Sequence, residues 1–190
     1  LIVDDASTDK TVEVIKKFKS NNPNININIF ENEKNKGIGF NFWRTAQKAI
    51  GKYYMIVFGD GGIPSEEIEK IVNNIGKADM ILTYFIDKRG VFRKTLSVMF
   101  VTIINLITNN NIKYYNSDNI HLLENVKSST GKGVGFGFQA ELITEQIRKK
   151  KTYIEIEIKP SFKSKKLLSE TSQALKFHNI ISVSGSVILI

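Results

Sequence analysis

The alternation of strand-like and helix-like segments over the first 85 residues constrains the fold most. A short apolar run, Leu1–Asp5, ends in two acids and precedes apolar residues at helical spacing, Val12 to Phe18. The alternation continues with strand patterns at 25–29, 53–58 and 78–85 and helical stripes at 38–50 and 64–75. A strand that follows a helix usually runs parallel to the strand before it. The sequence therefore predicts an α/β fold with a mostly parallel central sheet flanked by helices.

The second half continues the alternation more loosely. We expect a long apolar helix at 93–107, a short strand at 120–123, a helix at 139–149 and a strand at 153–158. Four alternating glycines, Gly131 to Gly137, form either a loop over a binding site or a plain connection. With 190 residues the chain suits one main domain, which we place at 1–175, followed by an apolar segment at 176–190 that could begin a membrane-associated region.

Charge and composition limit the classes of partner and of chemistry that the chain can have. The formal net charge is +8, which favours an anionic partner such as a phosphate, a nucleic acid or an acidic membrane surface. The chain has no cysteine, so thiolate metal sites and cysteine nucleophiles are excluded. The two histidines, His121 and His178, have no partner at metal-ligand spacing and are interpreted as structural residues.

Acidic residues cluster where two predicted strands end. Asp4 and Asp5 lead into Ser7 and Asp9, and Asp60 lies among glycines after the strand at 53–58. The carboxyl ends of strands are where α/β sheets bind ligands, and an aspartate oxygen suits a hard cation such as Mg²⁺. The simpler alternative is a pair of ordinary turns, since Ser, Thr and Asp are common helix caps.

The same residues resemble a known family. The segment Leu1–Thr11 is similar to the "VDDGSTDGT" segment of family 2 glycosyltransferases with the GT-A fold, and Asn35–Gly39 is similar to their "N-x-G-x-G" helix start. Phe58–Asp60 stands at the place of their "D-x-D", with Phe58 in the first acid position. Tyr115–Ser117 and Gly137–Leu142 resemble the polyprenyl-phosphate branch, which includes dolichyl-phosphate mannose synthase. In this family a first strand and helix precede the segment at Leu1, so the resemblance implies a truncated sheet with a gap beside residues 1–4.

The resemblance implies a UDP- or GDP-sugar donor and a divalent cation, Mg²⁺ or Mn²⁺. Asp60 would bind the cation, and Asp4 or Asp5 would hold the base or ribose. The implied donor-site residues are Asp4, Asp5, Ser7, Asp9, Gly37 and Asp60. The implied contacts of an acceptor phosphate are Arg93, Lys94, Lys163, Lys165 and Lys166. A lipid phosphate is already an anion, so no general base is needed, and no catalytic residue is assigned.

Three functions remain open at this stage. The first is a glycosyltransferase that acts on polyprenyl or dolichyl phosphate at the cytoplasmic face of a membrane. The second is a transferase with a polysaccharide or glycan acceptor, and the third is a non-catalytic nucleotide-sugar-binding protein, which Phe58 favours. Nucleic-acid binding ranks last, because aromatic residues are not interleaved with the basic clusters.

Overall fold

The computed structural model describes residues 1–59, 61–86, 91–160 and 186–189, and these form seven strands and six helices. The strands are β1 (Ile2–Asp4), β2 (Ile29–Glu31), β3 (Tyr53–Phe58), β4 (Met80–Tyr84), β5 (Ile120–Leu122), β6 (Tyr153–Glu157) and β7 (Ser186–Leu189). The helices are α1 (Thr11–Asn21), α2 (Ile38–Lys48), α3 (Ser65–Val72), α4 (Val91–Thr108), α5 (Leu123–Lys127) and α6 (Phe138–Arg148). The predicted α/β fold is confirmed.

All seven strands join in one sheet in the order β2-β1-β7-β3-β5-β4-β6. The pairs β1–β2 and β4–β6 are parallel, whereas β5 and β7 run antiparallel to both of their neighbours. Five strands therefore share one direction and two are inverted. The sheet is mixed, although its predominant direction agrees with the sequence prediction.

Helices cover both faces of the sheet. Alternate residues of β3 face opposite sides: Tyr54 and Ile56 join the core under α2, α5 and α6, while Met55 and Val57 join the core under α3. This is the period of a strand, in which successive side chains point to opposite faces. A strand apolar on both faces is the pattern of a buried central strand. The result is three layers, with the loops after the codirectional strands gathered at one edge.

The expected gap beside residues 1–4 is filled in the structure. Strand β7 lies between β1 and β3, with Val187 opposite Val3 and Ile188 opposite Val57. Backbone N–H and C=O groups of a buried strand need partners, and β7 supplies them to both neighbours. Of the predicted apolar segment 176–190, only β7 lies in the described part of the chain.

Two elements have different bounds from those predicted. Ile25 and Ile27 alternate with asparagines, but the second strand begins only at Ile29, because its partner β1 offers just Ile2–Asp4 for pairing. The apolar helix is longer than predicted and spans Val91–Thr108. Among the described residues, no helix combines the length and hydropathy needed to cross a bilayer.

Candidate functional site

Asp4 and Asp5 end β1 but have different surroundings. Asp4 is 2% exposed, and its Oδ2 accepts a hydrogen bond from the Ser7 backbone N–H at 3.1 Å. Its Oδ1 is buried and has no hydrogen-bond partner among the described residues. A buried carboxylate oxygen without a donor is costly. Asp4 is therefore the carboxylate of this pair that still has an oxygen to offer a donor.

The Asp5 carboxylate accepts hydrogen bonds from residues just before α2. Its Oδ1 accepts hydrogen bonds from the Lys36 N–H at 2.9 Å and from Asn32 Nδ2 at 2.8 Å, and its Oδ2 accepts one from the Gly37 N–H at 2.9 Å. Partial burial raises the pKa of the Asp5 carboxyl, but these donors outweigh burial and hold it below its usual value. Asp5 thus fixes the turn before α2 to the end of β1.

The structure adds a polar network that the sequence analysis missed. Asn32 donates from Nδ2 both to Asp5 and to Asn41 Oδ1, at 2.8 Å each, and its Oδ1 accepts from Arg44 Nη1 at 2.6 Å. The Arg44 guanidinium also lies 5.6 Å from the centre of the Phe30 ring. These residues tie β1, the loop after β2 and α2 together. The i, i+3 spacing of Asn41 and Arg44 on one helix face was the available signal.

Ser7 and Asp9 lie in the turn between β1 and α1. Ala6 has φ +62°, a left-handed conformation that favours glycine, and the family pattern has glycine at this position. The Asp9 carboxylate accepts hydrogen bonds from both the backbone N–H and the hydroxyl of Thr11. These bonds lower the pKa of Asp9. Asp9 therefore holds the turn just before α1, in agreement with the simpler alternative of an ordinary turn.

The end of β3 carries a second carboxylate that the sequence analysis did not single out. Asp118 is 3% exposed, and its Oδ1 accepts a hydrogen bond from the Phe58 N–H at 3.4 Å. Asp60, the predicted cation ligand, lies outside the described residues. Asp118 directly follows the Tyr115–Ser117 segment that resembles the family, which was its only sequence signal.

No group of three or more potential metal ligands is present among the residues that the structure describes. Mg²⁺ does not require such a group, because it is often held by one or two carboxylates together with substrate phosphates and water. The buried carboxylate of Asp118 at the end of β3 fits that manner of binding.

The glycine-rich loop lies against the start of α2. Gly39 is packed so closely that an added Cβ would lie 2.7 Å from the carbonyl oxygens of Gly133 and Val134. Trp43 Nε1 donates to the Gly133 carbonyl at 3.0 Å, and Lys132 Nζ lies 4.7 Å from the centre of the Trp43 ring. Gly39 therefore permits a close backbone approach, whereas Gly37 is favoured by its left-handed φ of +84°.

Two glutamates of α6 hold the other side of this loop. Glu141 Oε2 accepts the Gly133 N–H at 2.9 Å, and Glu145 accepts from the Ser129 hydroxyl and the Thr130 N–H. Burial raises the pKa of Glu145, but donation by Lys149, Ser129 and the loop backbone outweighs it and lowers the pKa to about 2. The loop is thus bonded on both sides, which is more order than a plain connection needs.

The predicted acceptor-phosphate residues are not assembled in the described structure. Lys94 is exposed in the first turn of α4, and Arg93 precedes it on the same helix. Lys163, Lys165 and Lys166 lie outside the described residues. Their proposed role therefore stays a prediction.

His121 is a core residue, as expected. It is 1% exposed, and its Nδ1 lies 3.1 Å from Gln146 Nε2. Burial lowers the pKa of His121 to about 4, so the ring is neutral at neutral pH. Together with the distance in the fold between β5 and the end of β1, this removes His121 from the candidate site.

The α/β sheet thus brings carboxylates to the ends of β1 and β3, and α2 starts after Gly37, which is hydrogen-bonded to Asp5. The sequence matches the family described as "Glycosyl transferase family 2" over residues 1–136. The chain belongs to this family.

Solved structures show the same fold at low sequence identity. Glucosyl-3-phosphoglycerate synthase from Mycobacterium tuberculosis has a TM-score of 0.62 at 12% identity, over 88% of this chain and 62% of that one. Its complex with Mn²⁺ and UDP-glucose gives 0.58 at 14% identity, covering 90% and 61%. Residues 1–349 of TarS from S. aureus give 0.54 at 18% identity, covering 81% and 47%. The chain thus spans less than two thirds of the length of these structures, and no curated protein matches it.

Proposed function

We propose that this protein transfers a sugar from a UDP- or GDP-sugar to a lipid phosphate of the polyprenyl or dolichyl type, at the cytoplasmic face of a membrane. Residues 1–175 would form the transferase domain, and 176–190 would form a C-terminal segment that includes β7. The observation that carries the proposal is the pair of carboxylates at the end of β1: Asp5 organises the site, and Asp4 has a buried oxygen to which no described residue donates.

The roles of the two carboxylates follow from their contacts. The Asp4 Oδ1 would accept a hydrogen bond from an N–H of the base or a hydroxyl of the ribose, which supplies the donor it lacks among the described residues. Asp5 would not touch the donor but would hold Gly37 and the start of α2 in place. Ser7 would shape the turn through the bond from its N–H to Asp4, and Asp9 would hold the residues before α1 through its bonds from Thr11.

The divalent cation would be held by Asp60, with the buried carboxylate of Asp118 next to the same strand end. When bound, Mg²⁺ or Mn²⁺ would neutralise the charge that develops on the departing nucleoside diphosphate. Glucosyl-3-phosphoglycerate synthase has been crystallised with Mn²⁺ and UDP-glucose and with Mg²⁺ and UDP, which supports this choice of cofactor.

The lipid acceptor is supported by α4. We call the outer face of α4 the set of its exposed apolar side chains: Val91, Phe92, Leu96, Val98, Met99, Ile103, Leu106 and Ile107. Leu106 and Ile107 are 75% and 74% exposed, while Phe100, Val101 and Ile104 pack on the core. An apolar helix face of this size in contact with water typically marks an interaction site, and a helix with its other face in the core can lie in a membrane interface. Lys94 would then lie near the headgroups.

The test is sugar transfer to an acceptor embedded in vesicles. The full chain is incubated with Mn²⁺, labelled UDP- or GDP-sugars and phosphatidylcholine vesicles that contain polyprenyl phosphate, and the label extracted with the lipid is counted. Leu106→Ser/Ile107→Ser should lower transfer and vesicle binding about a hundredfold, because burying a leucine or isoleucine is worth about 1.5–3 kcal/mol and two such side chains are lost. The control Val14→Ser/Val72→Ser changes two exposed apolar residues on α1 and α3 and should have little effect.

Transfer that is equal for both double variants would contradict the membrane contact. Label that moves only to phosphoglycerate would favour a soluble phosphorylated acceptor. That alternative draws on the synthase structures, one of which is a complex with phosphoglyceric acid. Binding of the donor without any transfer would favour the non-catalytic alternative, which Phe58 at the family's first acid position supports.

A further inference from the structure

Asp118 lies in the middle of a tight turn just before β5. The Asn119 N–H donates to the Ser117 carbonyl at 3.0 Å, which closes a three-residue turn centred on Asp118. At the end of β3, the Phe58 N–H donates to the Asp118 Oδ1 at 3.4 Å. The direction in which this carboxylate points therefore depends on the conformation of the turn.

The residue before Asp118 is held by β4. Thr83 donates its hydroxyl to the Ser117 hydroxyl at 2.6 Å, and the two residues are 0% and 3% exposed. Breaking a hydrogen bond between two buried hydroxyls leaves polar groups unpaired away from water. The first residue of the turn is thus fixed to the last part of β4.

The residue after Asp118 is held by three segments at once. Asn119 is fully buried; its Oδ1 accepts from the Thr83 N–H at 2.8 Å, and its Nδ2 donates to the Tyr115 carbonyl at 2.9 Å. The same Nδ2 donates to Gln139 Oε1 at 2.8 Å. A side-chain amide has two donor positions and one acceptor oxygen, and Asn119 uses all of them. It therefore joins β4, the segment before the turn and α6 at one point.

A second pair of buried polar side chains joins α6 to β5 farther from Asp118. Gln146 Nε2 lies 3.1 Å from His121 Nδ1. Gln139 and Gln146 are both 2% exposed, and their separation of seven residues places them on one face of α6. Only the pair formed by Gln139 includes a residue next to Asp118. The two glutamines therefore offer a matched comparison between support of the fold and support of this carboxylate.

The position of a carboxylate matters most when it binds a metal ion. Mg²⁺ requires near-ideal octahedral geometry, with oxygen atoms at about 2.0–2.1 Å. Groups that hold a ligand in place are important for this reason, and their loss typically weakens metal affinity about 10- to 100-fold. A turn fixed on both sides gives Asp118 this kind of support.

We propose that Asn119 is a positioning residue for the cation site. Through its bonds to Gln139 and Thr83 it holds the turn in one conformation, so that the Asp118 carboxylate stays at the end of β3. This inference rests on the proposed function, because it concerns the same cation that Asp60 would bind. Asn119 would touch neither the donor nor the cation, and its effect would be to order the carboxylate before binding.

The test compares Gln139→Met with Gln146→Met in the full chain. Methionine is similar in shape to glutamine, but its thioether is only a weak acceptor for the Asn119 amide. UDP and GDP are titrated by calorimetry with and without Mn²⁺, and the ratio of the two affinities measures the effect of the cation. Urea unfolding of the same proteins measures the structural cost separately. Asp60→Asn and Asp118→Asn serve as references for a damaged cation site.

Both methionine variants should unfold at lower urea concentrations than the native chain, because each leaves a buried polar group unpaired. Gln139→Met should reduce the effect of Mn²⁺ about tenfold, and Gln146→Met less than about twofold. Nucleotide affinity without Mn²⁺ should stay the same in both. A second comparison tests the other side of the turn: Thr83→Val, which lacks the hydroxyl, should reduce the effect of Mn²⁺, and Thr83→Ser, which keeps it, should not.

The outcomes separate this role from the proposed function. An unchanged effect of Mn²⁺ in Gln139→Met, equal losses in the two methionine variants, or equal effects in Thr83→Val and Thr83→Ser would overturn the positioning role. Loss of the effect in Asp60→Asn but not in Asp118→Asn would also overturn it and would leave the proposed function standing. Absence of any effect of Mn²⁺ in the native chain would overturn both.

Discussion

Replacing Asp5 by alanine tests the structural role of this carboxylate in the candidate site. Its oxygens accept hydrogen bonds from the Gly37 N–H, the Lys36 N–H and Asn32 Nδ2. Lys36 is exposed, so its N–H can turn to water, but Gly37 is partly buried and Asn32 is buried. Leaving a partly buried donor unsatisfied costs about 1–1.5 kcal/mol, at the lower end of the range for buried groups. Asp5→Ala should therefore lower the free energy of unfolding by about 2–3 kcal/mol.

The assay is urea unfolding followed by circular dichroism, with Asp9→Ala as the matched control. Asp9 also accepts hydrogen bonds next to a helix start, from Thr11, but it is exposed, so its loss should cost about 1 kcal/mol. Asp5→Ala should also weaken UDP binding, because the start of α2 is no longer fixed to β1, while Asp9→Ala should leave UDP binding within twofold. An unfolding free energy of Asp5→Ala equal to that of the native chain would refute the reasoning.

Three further predictions concern packing and pH. Gly39→Ala should lower the free energy of unfolding in urea by about 1–3 kcal/mol, because the new Cβ would clash with the Gly133 and Val134 backbone. Gly135→Ala should lower it by less than about 1 kcal/mol, because nothing lies within 4 Å of a Cβ at that position. Equal losses for the two variants would contradict the close approach at Gly39. The pKa of Glu145 is lowered to about 2, so the stability that this carboxylate contributes is present above its ordinary pKa and is lost as the pH falls from about 4.5 toward 2. The melting temperature of the native protein should therefore fall more than that of Glu145→Gln over this pH interval. Parallel losses in the two proteins would contradict the loop contacts. The pKa of His121 is lowered to about 4, so the NMR chemical shift of its ring protons should stay constant from pH 8 to about 5.5. A titration midpoint near 6.5 would show that the ring is not buried.

The sequence predicted the strands and helices well where apolar residues recur at regular spacing along the chain. The apolar run at 53–58 became the central strand β3, and Gly37 begins α2 as the glycine pattern indicated. Local periodicity did not predict where β2 begins, because the extent of a strand depends on its partner. The alternation of Ile25, Ile27 and Ile29 extends beyond the three residues that β1 offers for pairing.

The candidate site was only partly predictable for the same reason. The acids Asp4 and Asp5 were recognised as a pair, but the sequence cannot show that Asp5 bonds to Gly37 while an Asp4 oxygen has no donor in the described part of the chain. Asn32 and Arg44 act through contacts between segments that are distant in the chain or lie on different elements. Asp118 comes to the end of β3 only because β5 pairs antiparallel with that strand.

Donor binding measured by calorimetry tests the central claim most directly. UDP and GDP are titrated into the full chain with and without Mn²⁺, and the native protein is compared with Asp4→Asn, Asp60→Asn and the control Glu69→Gln, which changes an exposed acid on α3. The account predicts that one nucleotide binds, that Mn²⁺ strengthens binding in the native chain but not in Asp60→Asn, and that Asp4→Asn weakens binding with and without the cation. Absence of binding for both nucleotides, or equal affinity for all four proteins, would contradict it.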